Sequence, residues 1–216
     1  MSTWIKFCGT TCLEDALASM EAGANALGFI FAPSKRRVTQ DQAREIIGKL
    51  PAGVERIGVF VGATVGEICK IVADADLSGV QLHDGRNASE IYDSLPVQRR
   101  ASLRIIRTIL MQDGGSSRGE ALFRAFGAAD TWLLDSGSGS GKTFDWQAAR
   151  DVVAGAGGRI RLIVAGGLTP ENVGEAITTF SPWGVDVVSG IEREPGRKDP
   201  EKMKAFVAAV RKAERR

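Results

Sequence analysis

Two side chains at the ends of apolar segments are the strongest candidates for proton transfer. Cys8 ends the segment Trp4–Cys8, and Asp135 ends the segment Thr131–Asp135. A thiol beside a cation can ionise and act as a base. A carboxyl group that ends an apolar segment is costly unless it is paired, protonated or used in chemistry. Each residue also has a simpler interpretation, because strand cysteines commonly only pack and aspartates commonly cap loops or helices.

Two glycine-containing turns are candidate anion sites. Gly166 and Gly167 follow one apolar segment, and Ser189 and Gly190 follow another. Backbone N–H groups in such turns can converge on a phosphate group. These turns therefore predict phosphate binding, with ordinary turn glycines as the alternative.

The segment Ser136–Thr143, with the sequence SGSGSGKT, superficially resembles a nucleotide-binding P-loop. The P-loop motif needs a glycine where position 136 is a serine, so nucleotide hydrolysis is not expected. The composition instead favours a loop that closes over a small ligand.

Four further polar residues lie near the ends of apolar segments. The guanidinium fork of Arg36 suits a carboxylate ligand, with a solvated surface charge as the alternative. Asp186 is predicted either to pair with Lys6 or to bind a substrate hydroxyl, because a lone carboxylate within an apolar strand is costly. Arg107 and His83 are candidate substrate contacts, with a structural role as the favoured interpretation of His83.

Short apolar segments alternate with amphipathic ones along the whole chain. The apolar segments are Trp4–Cys8, Ala26–Phe31, Arg56–Val61, Gly79–His83, Leu103–Ile109, Thr131–Asp135, Arg161–Ala165 and Val185–Ser189. Their length and Val/Ile/Leu/Phe content are typical of strands buried on both faces. Regular alternation of strands with helices indicates a parallel sheet, and eight such units predict a single-domain (β/α)8 TIM barrel spanning residues 1–216. In that fold the chemistry lies at the C-terminal ends of the strands, where the candidate residues fall.

Helix-start signals support this alternation. Thr11, Thr39 and Thr64 each precede a Glu or Gln by three positions, as in a capping box. Thr169 and Asp199 each precede a proline, which suits the first position of a helix. Caps for two more helices are expected at 87 and 145.

Composition excludes several classes of protein. A net charge of +2 gives no strong field to attract nucleic acid or an anionic membrane surface. No apolar run approaches the length of a membrane span, and the N-terminus lacks a secretory pattern, so a cytoplasmic location is expected. His83 is the only histidine, and Cys12 and Cys69 are expected in different helices, so no metal site is predicted.

The motifs, in their order along the chain, resemble those of the phosphoribosylanthranilate isomerase family of tryptophan biosynthesis. The segments that carry the resemblance are KFCGTT (6–11), GFIF (28–31), SKRRV (34–38), VQLH (80–83), LDS (134–136), GKTFDW (141–146), AGGL (165–168), PENV (170–173), GVDVVSGIE (184–192) and KD (198–199). The resemblance covers nearly the whole chain. It implies an enzyme that binds a small phosphoribosyl substrate, without a metal or organic cofactor.

The implied reaction is the Amadori rearrangement of N-(5-phosphoribosyl)anthranilate to 1-(2-carboxyphenylamino)-1-deoxyribulose 5-phosphate. The resemblance makes Asp135 the general acid and Cys8, as a thiolate, the general base. Free thiols are mostly protonated at neutral pH, so a cation or helix end is expected to lower the pKa of Cys8.

The resemblance also implies how the substrate is bound. Arg36 takes the anthranilate carboxylate, the phosphate lies on backbone donors, and further contacts are expected from Asp186 and Arg107. The residues expected at the phosphate are Gly166, Gly167, Ser189 and Gly190. Two alternatives remain: another phosphosugar isomerase on the same barrel, or a non-catalytic barrel that binds a phosphate ligand. The chain is expected to be a monomer or a homodimer.

Overall fold

Eight parallel strands close into a barrel in sequential order, from β1 to β8. In this computed structural model the described residues are 2–83, 88–111, 131–135, 146, 149–150 and 160–215. The barrel strands are β1 (Trp4–Cys8), β2 (Ala26–Ile30), β3 (Glu55–Phe60), β4 (Gly79–Leu82), β5 (Arg104–Leu110), β6 (Thr131–Asp135), β7 (Arg161–Val164) and β8 (Gly184–Val187). The barrel predicted from the alternating segments is confirmed. The predicted limits of β1 and β6 match the observed ones, and those of the other strands differ by at most two residues at either end.

The barrel closes through pairing of its first and last strands. β1 pairs in parallel with β8, and Lys6 lies opposite Asp186 in that pair. On the other edge of β1, Cys8 lies opposite Gly28 of β2. After β8 the chain forms a short 3-10 turn, Ser189–Ile191, and then an antiparallel hairpin of β9 (Glu192–Glu194) and β10 (Arg197–Lys198).

Among the described residues, helices that follow the strands pack on the outside of the barrel. They are α1 (Leu13–Ala22), α2 (Gln40–Ile47), α3 (Val65–Asp74), α4 (Ala88–Ser94), α5 (Val97–Arg100), α6 (Val173–Phe180) and α7 (Pro200–Ala213). Thr39 and Thr64 form the predicted capping boxes, and the Asp199 side chain caps α7. The caps expected at 87 and 145, and the 136–143 loop, lie outside the described residues.

Two helix starts differ from the prediction. α1 begins at Leu13 with Cys12 as its N-cap, because the Thr11 hydroxyl instead donates to the Gly196 carbonyl, 2.6 Å away. Cys12 therefore precedes α1 rather than lying within it. α6 begins at Val173 rather than after Thr169, because the Asn172 side chain accepts the Thr169 N–H and fixes an extra turn.

Alternation along β1 divides its side chains between the inside of the barrel and the helix layer. Ile5 and Phe7 belong to a cluster with α6 and α7, and the Phe7 ring packs edge-on against Phe206 at 6.0 Å. Trp4 packs with the barrel-interior residues, and Lys6 is fully buried there. β1 therefore delivers the Cys8 side chain to the inner face, as its alternation predicts. No helix within the described ranges is long and apolar enough to cross a membrane.

Candidate active site

A cavity of about 200 Å³ opens at the C-terminal ends of the barrel strands. Its lining brings together six of the sequence-predicted site residues, which come from β2, β6, β7, β8 and the loops that follow. They are Arg36, Asp135, Gly166, Gly167, Asp186 and Ser189. The lining thus combines a cation, two carboxyl groups and backbone N–H donors, which suits a ligand with both carboxylate and phosphate groups.

Cys8 ends β1 at the same end of the barrel, but it is not among the residues that line the cavity. Its residue is 3% exposed, and a Cβ at Gly28 would come within 2.5 Å of its sulfur. Glycine at 28 therefore makes the room that the thiol occupies. Burial raises the pKa of the Cys8 thiol, and the nearby Lys6 ammonium lowers it by less. The prediction that this pKa is lowered is wrong. The site that holds the cation also buries the thiol, and loss of hydration raises the pKa by more than the cation lowers it.

The buried ion pair predicted inside the barrel is present. The Lys6 ammonium donates to Oδ1 of Asp186 at 2.9 Å, and both side chains are almost completely buried. Burial lowers the pKa of Lys6, but attraction to Asp186 and Cys8 outweighs that effect and the pKa is raised. Lys6 therefore stays charged beneath the thiol. Asp186 also reaches the cavity, so the ion pair and the substrate contact predicted for it are compatible.

Arg36 is half-buried rather than a solvated surface charge. Its Nε donates to Oε1 of Glu192 at 2.8 Å, and its Nη2 donates to Oε2 at 2.6 Å. Its stem passes over Gly9, where a Cβ would lie 2.8 Å from Cδ of Arg36. Gly9 also has a φ of +79°, so the glycine is needed for both its backbone and the space above it.

The two glycine turns meet beside the cavity. Gly166 and Gly167 have φ values of +81° and +68°, a left-handed conformation that glycine adopts without strain. Consecutive turn residues of this kind present their N–H groups to an anion. Gly190 packs so closely on this turn that a Cβ would lie 2.0 Å from the Leu168 carbonyl oxygen, although Gly190 itself is outside the lining.

Arg107 and His83 are not brought to the lining of this cavity. Arg107 is buried on β5, with its guanidinium 5.6 Å from the centre of the Trp132 ring, and burial lowers its pKa. Nε2 of His83 lies 2.9 Å from the Gln81 amide nitrogen. His83 directly follows β4, whereas Arg107 lies in the middle of β5, and their proposed contact with the substrate stays a prediction.

One group of potential metal ligands is found in the described part of the chain, formed by Cys12, Glu14 and Asp15. The Asp15 carboxylate already accepts the Lys198 N–H at 2.9 Å and pairs with Arg197. This group lies at the start of α1, where its Asp15 carboxylate is already engaged by other residues of the same chain.

Sequence reasoning assigned no role to Glu192 and Lys198, which the structure brings against the site. The Glu192 carboxylate accepts hydrogen bonds from Arg36. The Lys198 ammonium donates to that carboxylate at 3.1 Å and to the Cys8 carbonyl at 2.5 Å. The sequence offers only a weak indication of their roles. Both residues fall within motifs that resemble the family, but charged residues after a strand are commonly solvent-exposed.

Comparison with known proteins gives a consistent result. Residues 5–209 match the family described as N-(5′phosphoribosyl)anthranilate (PRA) isomerase. The N-(5′-phosphoribosyl)anthranilate isomerase of Rubrobacter xylanophilus is 38% identical over 213 residues, which span 96% of this chain and 98% of the relative.

Solved structures agree in fold along almost the full length. Monomers generated from the dimeric phosphoribosylanthranilate isomerase of Thermotoga maritima are 33% identical with a TM-score of 0.80, covering 97% of this chain and 99% of that one. A phosphoribosylanthranilate isomerase in complex with reduced 1-(o-carboxyphenylamino)-1-deoxyribulose 5-phosphate is 34% identical with a TM-score of 0.76 and the same coverage. This chain therefore belongs to the N-(5′-phosphoribosyl)anthranilate isomerase family of tryptophan biosynthesis.

Proposed function

We propose that this chain converts N-(5′-phosphoribosyl)anthranilate to 1-(2-carboxyphenylamino)-1-deoxyribulose 5-phosphate with Asp135 and Cys8 as its proton-transfer groups. One observation carries the proposal: a single cavity gathers Arg36, Asp135 and the Gly166-Gly167 turn at the end of the barrel where Cys8 also lies. A carboxylate, a sugar and a phosphate each find a chemically matched group there.

The lining favours one orientation of the substrate. The phosphate lies against the N–H groups of Gly166, Gly167 and the Ser189-Gly190 turn, and the anthranilate carboxylate lies against Arg36. The ribose then spans the floor between Asp135 and Asp186, where its oxygens face the two carboxyl groups. Binding both charged ends of the substrate fixes the sugar for proton transfer between them.

Ring opening is the acid step. Protonated Asp135 donates its proton to the furanose ring oxygen as the C1–O bond breaks, and the anthranilate nitrogen supplies its lone pair to form an iminium ion. The Asp186 carboxylate lines the same cavity as Asp135.

Proton abstraction at C2 is the base step. The Cys8 thiolate takes the C2 proton, and the C–H electrons form the C1–C2 double bond of an enolamine while the iminium nitrogen becomes neutral. Return of a proton to C1 and loss of the C2 hydroxyl proton give the ketone. Delivery of the first from Cys8 and uptake of the second by Asp135 restore both groups for the next turnover.

Lys6 supplies the charge that makes a thiolate possible in a dry site. Its ammonium donates to Asp186 and attracts negative charge on Cys8, so it can compensate a charge that forms on the sulfur. The resting thiol has a raised pKa because of burial. The base form is therefore a minor species at neutral pH, and its amount increases as the pH rises.

The decisive experiment is turnover of N-(5′-phosphoribosyl)anthranilate by the purified protein, followed as loss of anthranilate fluorescence. We expect enzyme-dependent conversion to the ketose product. Binding without conversion would identify a non-catalytic phosphate-binding barrel. Conversion only of another phosphorylated aldose, such as that of the aldose–ketose isomerase of histidine biosynthesis, would identify the other alternative. Sedimentation of the same sample measures whether the protein is a monomer or a homodimer, the two states we propose.

A further inference from the structure

The hairpin after β8 holds a buried carboxylate directly behind Arg36. The Glu192 side chain is 4% exposed and makes a two-pronged contact with the Nε and Nη2 edge of the guanidinium. Such paired N–H···O contacts restrict the guanidinium to one plane and one direction. Within the part of the chain that is described, Nη1 of Arg36 makes no hydrogen bond, and the residue lines the cavity.

Glu192 is in turn fixed from three sides. The Lys198 ammonium donates to Oε1 of Glu192 at 3.1 Å, and the Gly196 N–H donates to the same oxygen at 3.2 Å. Lys198 also donates to the carbonyl of Cys8 at 2.5 Å and to the carbonyl of Val188 at 3.4 Å. One buried junction therefore connects the carboxylate behind Arg36 to the ends of β1 and β8.

The electrostatics favour a charged carboxylate in this junction. Burial raises the pKa of Glu192, but hydrogen bonds and attraction from Arg36 and Lys198 outweigh it and hold this pKa below its usual range. A charged carboxylate placed behind a guanidinium would weaken ligand binding if it only neutralised the cation. It strengthens binding if orienting the free edge of the guanidinium contributes more binding free energy than neutralising the cation removes. A planar carboxylate ligand benefits from such orientation, because it matches the planar guanidinium.

We propose that Glu192 is a positioning residue that, held by Lys198, directs the free edge of Arg36 at the anthranilate carboxylate and so sets the preference for a carboxylated aromatic amine. This inference rests on the proposed role of Arg36. Glu192 does not touch the substrate itself. Its contribution is therefore confined to ligands that carry the carboxylate.

The test compares two ligands on matched variants. The ligands are reduced 1-(o-carboxyphenylamino)-1-deoxyribulose 5-phosphate and its phenylamino counterpart, which lacks the carboxylate. The variants are Glu192→Gln, Arg36→Ala and, as control, Glu194→Gln, which changes an exposed carboxylate of the same strand β9. Calorimetry gives the ratio of the two dissociation constants for each protein, and far-UV circular dichroism confirms folding.

We expect Glu192→Gln to reduce the preference for the carboxylated ligand about tenfold, with KM raised by a similar factor and kcat changed much less. Arg36→Ala should abolish the preference, and Glu194→Gln should keep it. A Glu192→Gln protein that keeps the preference, or that weakens both ligands equally, would overturn the positioning role alone. If Arg36→Ala keeps the preference, the role of Arg36 fails together with the inference.

A second variant keeps the test informative if the Glu192→Gln protein does not fold. Glu192→Asp keeps a buried negative charge for Lys198. Its side chain is about one methylene group shorter, which alters the geometry of the paired contact with Arg36. We expect it to fold and to lose part of the same preference. Full retention of the preference by Glu192→Asp together with an unfolded Glu192→Gln protein would identify Glu192 as a structural residue and contradict the proposal.

Discussion

The two ends of the barrel use similar side chains for opposite purposes. At the N-terminal end, the first residues of β1, β3 and β5 are Trp4, Glu55 and Arg104. Arg104 donates to Glu55 at 2.6 Å and lies 5.0 Å from the ring centre of Trp183, which stacks on Trp4 at 5.0 Å. Charges there are paired and covered by aromatic rings.

At the C-terminal end, charges are also paired, but each pair leaves one polar edge facing the cavity. Asp186 binds Lys6 on one side and reaches the cavity on the other, and Arg36 does the same with Glu192 behind it. In barrels of this kind the N-terminal face serves stability and the C-terminal face serves chemistry. The difference therefore lies in what the ion pairs leave open, rather than in how many charges each end contains.

The largest effects are expected for the two proton-transfer groups. Cys8→Ser and Asp135→Asn should each lower kcat by at least about 100-fold, because positioned acid–base groups contribute that much or more. Binding of the reduced product analogue should change little. Steady-state fluorescence assays measure the first quantity, and calorimetry measures the second.

The matched control is Cys69→Ser, which changes a half-exposed thiol in α3 and should keep normal turnover. Near-normal kcat for either Cys8→Ser or Asp135→Asn would eliminate the assigned roles.

Arg36→Ala should act mainly on binding. Loss of a charge-assisted contact to the substrate carboxylate is expected to raise KM by about 10-fold or more with a smaller effect on kcat. Arg37→Ala removes the neighbouring exposed arginine and should leave KM unchanged. Equal effects of the two substitutions would indicate general attraction of an anionic substrate instead of a specific contact.

Register explains which parts of the site were predictable from sequence. Inward-facing residues on neighbouring strands come together once the barrel closes, so the Lys6–Asp186 pair followed from alternation and strand order. The same rule placed Asp135 and the Gly166-Gly167 turn at one end. These predictions succeeded because strand periodicity is local and barrel topology is regular.

Glu192 and the pKa of Cys8 show where sequence reasoning stops. Glu192 meets Arg36 across 156 positions of chain through a hairpin whose path no local pattern determines. For Cys8, sequence suggests a neighbouring cation but does not measure burial, and burial has the larger effect on its pKa. Both features depend on how loops pack over the strand ends, which periodicity does not encode.

A smaller, pH-dependent effect is expected when the cation beneath the thiol is removed. The double variant Lys6→Met/Asp186→Leu replaces a buried ion pair by apolar groups, a change that proteins commonly tolerate. The pKa of Cys8 should rise further in this variant, because the attraction of Lys6 has a larger effect on that pKa than the repulsion of Asp186. When a thiolate is already a minor species, a rise of its pKa by one makes it about tenfold scarcer. We therefore expect kcat at neutral pH to fall in the same proportion and to recover as the pH rises. Thiolate absorbance in a Cys12→Ser/Cys69→Ser background titrates Cys8 directly.

Two readouts separate the contributions to this double variant. Loss of Asp186 as a hydroxyl contact raises KM at every pH, and loss of Lys6 moves the rising limb of the kcat profile to higher pH. An unchanged limb, with an unchanged thiolate titration, would show that Lys6 does not stabilise the thiolate.

The smallest effect on activity is expected at the opposite end of the barrel. Trp183→Ala removes the ring that stacks on Trp4 and that Arg104 and Arg161 approach at 5.0 and 5.3 Å. Loss of an aromatic pair and its cation contacts should lower the free energy of unfolding by about 2 kcal/mol, with Tm lower by roughly 4–8 °C. Trp183→Phe keeps a stacked ring and should lose less. Since this end has its charges paired away from the cavity, kcat/KM of the folded fraction should stay unchanged, and a large fall in kcat/KM without loss of Tm would contradict the division between the two ends.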